Sequence, residues 1–320
     1  MLPETNRAAR PEADGILVLN KTRDATSMDM VRLVKRVTRV KRVGHAGTLD
    51  PIATGVLPIC MGQATRFMEY LVSGQKVYRA EFTLGEATDT YDSFGTVTDT
   101  GDWSGVTRAQ VEAQFPLFTG VVMQRPPMYS ALKHEGRRLY ELARAGVEVD
   151  RPAREVVVHQ LNLLSWDPPK LTLEVTCGRG FYMRTFAHDL GVGLGCYAHL
   201  SELARTKAGP FAVEDALTPD DVSDASEDEA WRDLLLPPDA ALLSMEPLSV
   251  EASAERHLRN GQPVTVPAAG VYAKHLEPRR AYTQDGRFLG IVRFSRPDSQ
   301  WQPEKVMAAP TASRYAPVRR

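Results

Sequence analysis

In this 320-residue chain, the residue types and spacing best suited to chemistry lie in Gly44-His45-Ala46-Gly47-Thr48-Leu49-Asp50-Pro51. Two glycines permit tight or left-handed turns and close approach of another backbone. Pro51 stiffens the exit and biases Asp50 away from helix. A carboxylate on a stiff loop between a basic helix and a strand is well placed for catalysis. Read alone, however, an Asp-Pro pair is more often a turn or cap than a catalyst.

The flanking elements decide what such a loop rests on. Gly15 to Asn20 has strand character, and Thr26-Ser27 supplies a helix N-cap signal. Met30, Val34 and Val37 follow at helical spacing, with Leu33 and Val40 on the same broad face. Arg32, Lys35, Arg36 and Arg39 lie mostly off that stripe, and Lys41 and Arg42 extend the charge. Such a basic amphipathic helix can face phosphates, lie on a membrane surface, or simply present a solvated outer face. Thr54 to Met61 is a further strand, in which Pro58 predicts an edge or bulge.

Ala64 to Val72 reads as helix. Tyr78, Ala80, Phe82 and Leu84 then alternate with Arg79, Glu81 and Thr83, the pattern of a half-buried strand. Arg108 to Phe118 and Arg137 to Ala145 read as helices around a loop at Gln124 to Ser130. Glu155 to Leu164 and Leu171 to Cys177 are strands, and Phe181 to Leu190 begins a helix. Strands and helices mix without regular βαβ repetition, so the expected class is α+β. Gly191 to Gly195 (GVGLG) follows a helix rather than a strand, which rejects a dinucleotide loop. Thr218 to Ala230 reads as a surface connection. Beyond Pro247, Tyr282-Thr283, Asp285-Gly286 and Phe288 to Val292 form a hairpin signal within a small β-rich module.

Composition bounds the possibilities. A hydrophobic share of 43% with 25% charged residues is that of a globular protein. No apolar run approaches membrane-spanning length, and the polar start, Met1 to Asp14, lacks a signal core. Cys60, Cys177 and Cys196 form neither a metal-ligand pattern nor a disulfide framework, which fits a cytoplasmic setting, and the seven histidines show no zinc spacing. A reaction without metal or cofactor is expected. The net charge of −1 is unevenly spread: Glu214 to Asp239 carries −9, leaving +8 elsewhere. Charge alone is therefore compatible with an anionic partner and equally with a solvated acidic segment.

Gly44 through Pro58 resembles the catalytic loop GHTGTLDPxATGVLP of TruB-type tRNA pseudouridine synthases. Other blocks match in order. Gly15 to Ser27 resembles GxLxxxKPxGxTS, Lys76 to Ala80 resembles KxYxA, and Gly85 to Gly95 resembles GxxTDTxDxxG. Gln124 to Tyr140 is similar to QxPPxYSAxKxxGxxxY, and Gly180 to Thr185 to GxYIR(T/S). The similarity runs from about Gly15 to Val306, and ordered motifs are far more specific than one short match. Asn260 to Val264 and Pro303 to Val306 resemble a PUA-type RNA-binding module. Departures are Thr22 for proline, Asp24 for glycine and Ala46 for threonine; the first two bear on the loop after Lys21.

The resemblance implies a pseudouridine synthase fold and isomerisation of a T-loop uridine at tRNA position 55, with the nucleotide flipped into a pocket. It implies Asp50 as the essential carboxylate, held as an anion by Arg184. Tyr78 would stack on the base, Tyr182 would order it, His45 would support displaced nucleotides, and Leu203 would form an apolar wall. Arg32, Lys35, Arg36, Arg39, Lys41 and Arg42 become phosphate contacts. The expected organisation is a disordered 1–13, a catalytic domain 14–245 with an acidic segment at 214–239, a PUA-like domain 246–307 and a disordered tail 308–320. The expected partner is the tRNA T stem-loop, with no membrane, no cofactor, no metal and no obligatory protein partner, acting as a monomer. The competing readings are a non-catalytic tRNA-binding or folding chaperone and a guide-RNA-dependent synthase subunit.

Overall fold

A computed structural model describes residues 12–317. Its first half contains β1 (Gly15–Lys21), α1 (Ser27–Thr38), β2 (Val43–His45), β3 (Ala53–Met61), α2 (Met68–Ser73) and β4 (Lys76–Leu84). A side hairpin follows, β5 (Glu86–Thr88) with β6 (Val97–Thr100), then α3 (Arg108–Gln114) and β7 (Gly120–Gln124). After the small hairpin β8 (Lys133–His134) and β9 (Arg137–Arg138) come α4 (Leu139–Arg144), β10 (Arg154–Asp167) and β11 (Lys170–Cys177). Next are α5 (Met183–Gly193), β12 (Ala198–Ala208), β13 (Phe211–Ala212) and α6 (Pro219–Asp224). The last part holds β14 (Glu246–Val250), α7 (Ala252–Arg259), α8 (Pro267–Gly270), β15 (Pro278–Thr283), β16 (Arg287–Ser295) and β17 (Gln300–Ala312).

The large sheet runs β1-β3-β12-β4-β11-β10-β7, with β2 on β3 and β13 on β12. Every pairing is antiparallel except β3 with β12. The apolar runs of β1 and β3 are explained by burial on both faces. Leu17, Leu19, Leu57 and Ile59 enter one core with Met30, Val31 and Val34 of α1. Ile16, Val18, Val56 and Cys60 enter a second, with Phe67, Leu71, Tyr282 and Phe288. In β4, Ala80, Phe82 and Leu84 face the first core with Phe186 of α5, while Arg79 is exposed on the other face.

The four-stranded sheet β14-β15-β16-β17 packs on this second face. Phe67 meets Phe288 edge-on at 5.5 Å, Arg66 donates to the Val306 carbonyl (2.6 Å) and Lys305 to that of Arg66 (2.7 Å).

Four sequence expectations change. Pro58 lies in an interior strand. Its carbonyl accepts from Ala46 N–H (2.9 Å), so its nitrogen faces the same side, in the gap where β12 leaves after Gly55 and β2 begins at Ile59. No ladder donor is lost there. Residues 115–118 form a 3₁₀ turn after α3, and residues 62–67 a 3₁₀ turn before α2, rather than continuous helices. The acidic stretch is more than a connection. It forms α6, buries Val222 and Trp231, and bonds to the open edge of β1 through Leu217 and Leu236. The segment read as a tail from 308 continues β17 to Ala312, pairing Thr311 with Phe288. Residues 1–11 and 318–320 lie outside the described residues.

Candidate active site

The loop from Gly47 to Ile52 is held from several elements at once. Ser27, the first residue of α1, accepts from Leu49 N–H (2.8 Å) and donates to its carbonyl (3.0 Å). Asp24 N–H reaches the Pro51 carbonyl (2.9 Å). Lys21, fully buried at the end of β1, donates to the carbonyls of Thr22 (2.8 Å), Ala25 (2.7 Å) and, longer, Pro51 (3.4 Å). Burial lowers the Lys21 pKa to about 8, against the raising influence of the Asp50 and Asp24 charges. Arg205 of β12 closes the other side through the Gly47 carbonyl (3.1 Å). Gly47 itself has φ +100°, so the glycine is required by the backbone.

Asp50, about one third exposed, meets Arg184 of the first turn of α5, with Nε to Oδ2 at 2.9 Å. The Arg184 side chain is only 4% exposed and is fixed by the carbonyls of Tyr129 (Nη2, 2.7 Å) and Thr90 (Nη1, 3.4 Å). A second carboxylate, Asp92, lies 3.7 Å from the same Nε. Thr90 Oγ1 (2.7 Å) and Phe94 N–H (3.0 Å) orient Asp92 by donating to its other oxygen.

Two tyrosines feel the charge of Asp50. Tyr78 comes from the core face of β4. Its phenol is pushed up by burial, opposed by the guanidinium of Arg205, and feels the Asp50 charge. Tyr182 is the residue before α5, and the Gln124 side chain grips its backbone at both N–H (2.8 Å) and carbonyl (3.0 Å). Its phenol is also raised by burial, with the Ser130 hydroxyl and Arg184 opposing and Asp50 reinforcing the shift.

His45 stands on β2 with its Nδ1 buried and, among the described residues, without a hydrogen-bond partner. Burial, then Arg205, depress its pKa, so the ring is neutral at neutral pH. Leu203 is buried between Ala53 and Ala80 and lines a hollow with Ile52, Thr54, Arg23 and Arg79.

Asp50, Arg184, Tyr78 and Tyr182 are thus brought together, with His45 and Leu203 on adjoining strands. The basic helix is different. Arg32, Lys35, Arg36, Arg39, Lys41 and Arg42 are all exposed, and Arg32 is already paired with Asp29 at 2.6 Å. The hydrogen bonds that α1 gives the loop come from Ser27 at its N-terminal end. At ~1.5 Å per residue, Arg36 lies about 13 Å along the axis from Ser27. Sequence reasoning passed over Asp92, Gln124 and Arg205 as site residues. Asp92 and Gln124 lay inside matched blocks, whereas for Arg205 no local signal exists, because its role comes from strand order.

The α+β scaffold thus presents a part-exposed carboxylate, paired with a buried guanidinium, whose charge reaches two tyrosines. The family model described as "TruB family pseudouridylate synthase (N terminal domain)" matches residues 35–183, and "tRNA pseudouridylate synthase B C-terminal domain" matches 184–243. The chain is 44% identical over 281 residues to a tRNA pseudouridine synthase B of Chromohalobacter salexigens, covering 87% of this chain and 90% of that protein. It is 39% identical over 303 residues to one of Dehalococcoides mccartyi, covering 95% and 99%. Among solved structures, a chain of a Cbf5-Nop10-Gar1 complex aligns at a TM-score of 0.69 and 25% identity, over 91% of this chain and 84% of that one. The chain belongs to the TruB family of pseudouridylate synthases, which isomerise uridine to pseudouridine in tRNA.

Proposed function

We propose that this chain acts on the T-loop uridine at tRNA position 55, with Asp50 as the carboxylate that acts on the nucleotide. The observation that carries this reading is a part-exposed carboxylate on a multiply anchored loop, 2.9 Å from a guanidinium that is itself almost fully buried. Such a carboxylate is held in place while keeping one face toward a ligand. The reaction breaks N1–C1′, turns the base and rejoins it through C5, with no net redox change. Asp50 serves by attack at C1′, by attack at the base, or by removal of a sugar proton; each requires the same placement. The uridine is extruded at a cost of a few kcal/mol. Tyr78 stacks on the base and Tyr182 orders it, while Arg184 retains the carboxylate geometry. His45 supports displaced T-loop nucleotides, Leu203 walls the pocket, and the exposed cations from Arg32 to Arg42 meet phosphates.

The catalytic portion is 14–245. The small β module from 246 adds RNA contacts, for which the exposed Tyr272 next to Lys274 and His275 offers a ring and charge. The enzyme works as a cytoplasmic monomer with no obligatory protein partner. Among the described residues, no helix is long and apolar enough to cross a membrane.

Unmodified tRNA incubated with the purified protein should acquire pseudouridine at one T-loop position. A bare T stem-loop should also react without guide RNA or another protein, which separates this reading from a guide-dependent subunit. Asp50→Asn should bind tRNA within about threefold of wild type and form no product. Normal turnover by that variant would falsify the assignment of Asp50, whereas wild-type protein that binds tRNA and forms no product would favour a folding chaperone.

A further inference from the structure

Arg205 is 1% exposed, yet among the described residues its guanidinium makes no ion pair. A buried charge without a carboxylate is costly and is retained where its hydrogen bonds or its field serve a purpose. Three observations show where Arg205 is directed. Its Nε donates to the Val56 carbonyl (2.7 Å) and its Nη2 to the Gly47 carbonyl (3.1 Å), three residues before Asp50. Its register partners are Gly55 on β3 and Tyr78 on β4, so it sits between the strand leaving the catalytic loop and the strand carrying the tyrosine. Its charge faces the Tyr78 phenol, and it also opposes protonation of His45, Lys21 and Lys76.

We propose that Arg205 is a positioning residue of the active site: one buried guanidinium sets the Gly47–Asp50 loop and the Tyr78 phenol relative to each other. This rests on the catalytic reading of Asp50 and Tyr78 above. The planar fork reaches two carbonyls in fixed directions and still presents charge to a third group, which an ammonium on a flexible stem does not reproduce. Burial lowers the pKa of the neighbouring His45, Lys21 and Lys76, and the Arg205 charge adds to that lowering. The arrangement demands a glycine at 55, since a Cβ there would lie 2.2 Å from the Arg205 carbonyl oxygen. Leu203, two residues earlier on the same face of β12, lies opposite Ala80 as Arg205 lies opposite Tyr78. A single strand therefore carries both a wall residue and the anchor of the loop.

The test compares Arg205→Lys with Arg205→Gln in the full-length protein, on unmodified tRNA. If the fork positions the site, Arg205→Lys keeps the fold and binds tRNA within about threefold, while kcat falls about 100-fold, the scale of a displacement near 1 Å. A purely supporting role instead makes kcat follow the folded fraction in both variants, and Arg205→Lys then restores it. A kcat for folded Arg205→Lys within threefold of wild type overturns the proposal. Because removing the guanidinium leaves two buried carbonyls unpaired, either variant can fail to fold, so a second reading leaves position 205 intact. In protein carrying ¹⁵N-arginine, a slowly exchanging Nε–H resonance should move in Tyr78→Phe and stay fixed in Tyr182→Phe. Absence of any resonance selective for Tyr78→Phe overturns the proposal without reference to turnover. Inactive wild-type protein that shows the selective shift would instead sink the functional reading alone.

Discussion

Arg184 stands between two carboxylates that are not equivalent. Asp50 meets it at 2.9 Å and is partly open, whereas Asp92 is farther, at 3.7 Å, 8% exposed, and oriented by Thr90 and Phe94. The geometry suits Asp92 to holding Arg184 and Asp50 to meeting the nucleotide. Asp92→Asn keeps the shape but removes the charge, so kcat should fall about 10- to 100-fold with tRNA binding within about threefold. Unchanged single-turnover rates would show that Asp92 is idle. Asp24 shows how a departure from the family pattern is absorbed. Its φ is +68°, the left-handed region a glycine adopts freely and an aspartate better than most residues. In that conformation Asp24 N–H reaches the Pro51 carbonyl. Asp24→Gly should shift stability by less than about 1 kcal/mol, and Asp24→Val should cost about 1–2 kcal/mol, read from urea midpoints. Equal midpoints for the two variants would show that the strain is absent.

At the scale of elements, the site depends on β12 lying parallel to β3 at Ala53–Gly55 and antiparallel to β4 at Tyr78 and Ala80. Gly55 is the narrow point, with φ +98° and the Arg205 carbonyl occupying the space of a Cβ. Gly55→Ala should therefore cost at least about 3 kcal/mol and lower turnover even where the protein folds. A stable, fully active variant would mean that the strands part without consequence. Much of this architecture was legible beforehand. Continuous apolar runs marked β1 and β3, alternation marked β4, and the Thr26-Ser27 signal marked the start of α1, where Thr26 and Asp29 form a capping box. Within the site, the matched blocks supplied Asp50, Tyr78, Tyr182 and Arg184. What could not be read was pairing that depends on distant chain. Nothing local to Leu217 or Leu236 says that they seal the edge of β1, and Ala308 to Ala312 has little strand propensity until β16 offers it a partner. Arg205 escaped for the same reason, since its neighbours at 47, 56 and 78 are remote in sequence.

Across the whole molecule, one buried layer joins the large sheet to the C-terminal module. Tyr282 of β15 donates to the fully buried Asp239 (2.6 Å), and Ser313, beyond β17, donates to the same oxygen (2.5 Å). The interior also holds titratable groups whose burial gives stability a defined dependence on pH. Lys21 and Lys76 are lowered to about 8 from 10.5, chiefly by burial. Below about 8 both the folded and unfolded chains hold these protons and the burial cost is present in full. Between about 8 and 10.5 the unfolded chain holds more protons, so stability rises with pH. Cys60 and Cys177 act in the opposite sense. Burial pushes their thiols up to about 12 from 9.0, so above pH 9 the folded state keeps protons that the unfolded chain releases, and stability falls. The phenols of Tyr78, Tyr182 and Tyr282, raised by burial above 10.0, reinforce that fall at higher pH. Two lysines act unopposed by these groups only from about pH 8 to 9. The urea midpoint should climb through that interval, level off as the thiols titrate, and decline once the phenols join. Lys76→Met should remove about half of the climb, because Lys21 remains. A wild-type midpoint that does not rise between pH 8 and 9 would mean that both ammonium groups reach water in the folded protein, and a slope unaltered by Lys76→Met would mean that Lys76 does.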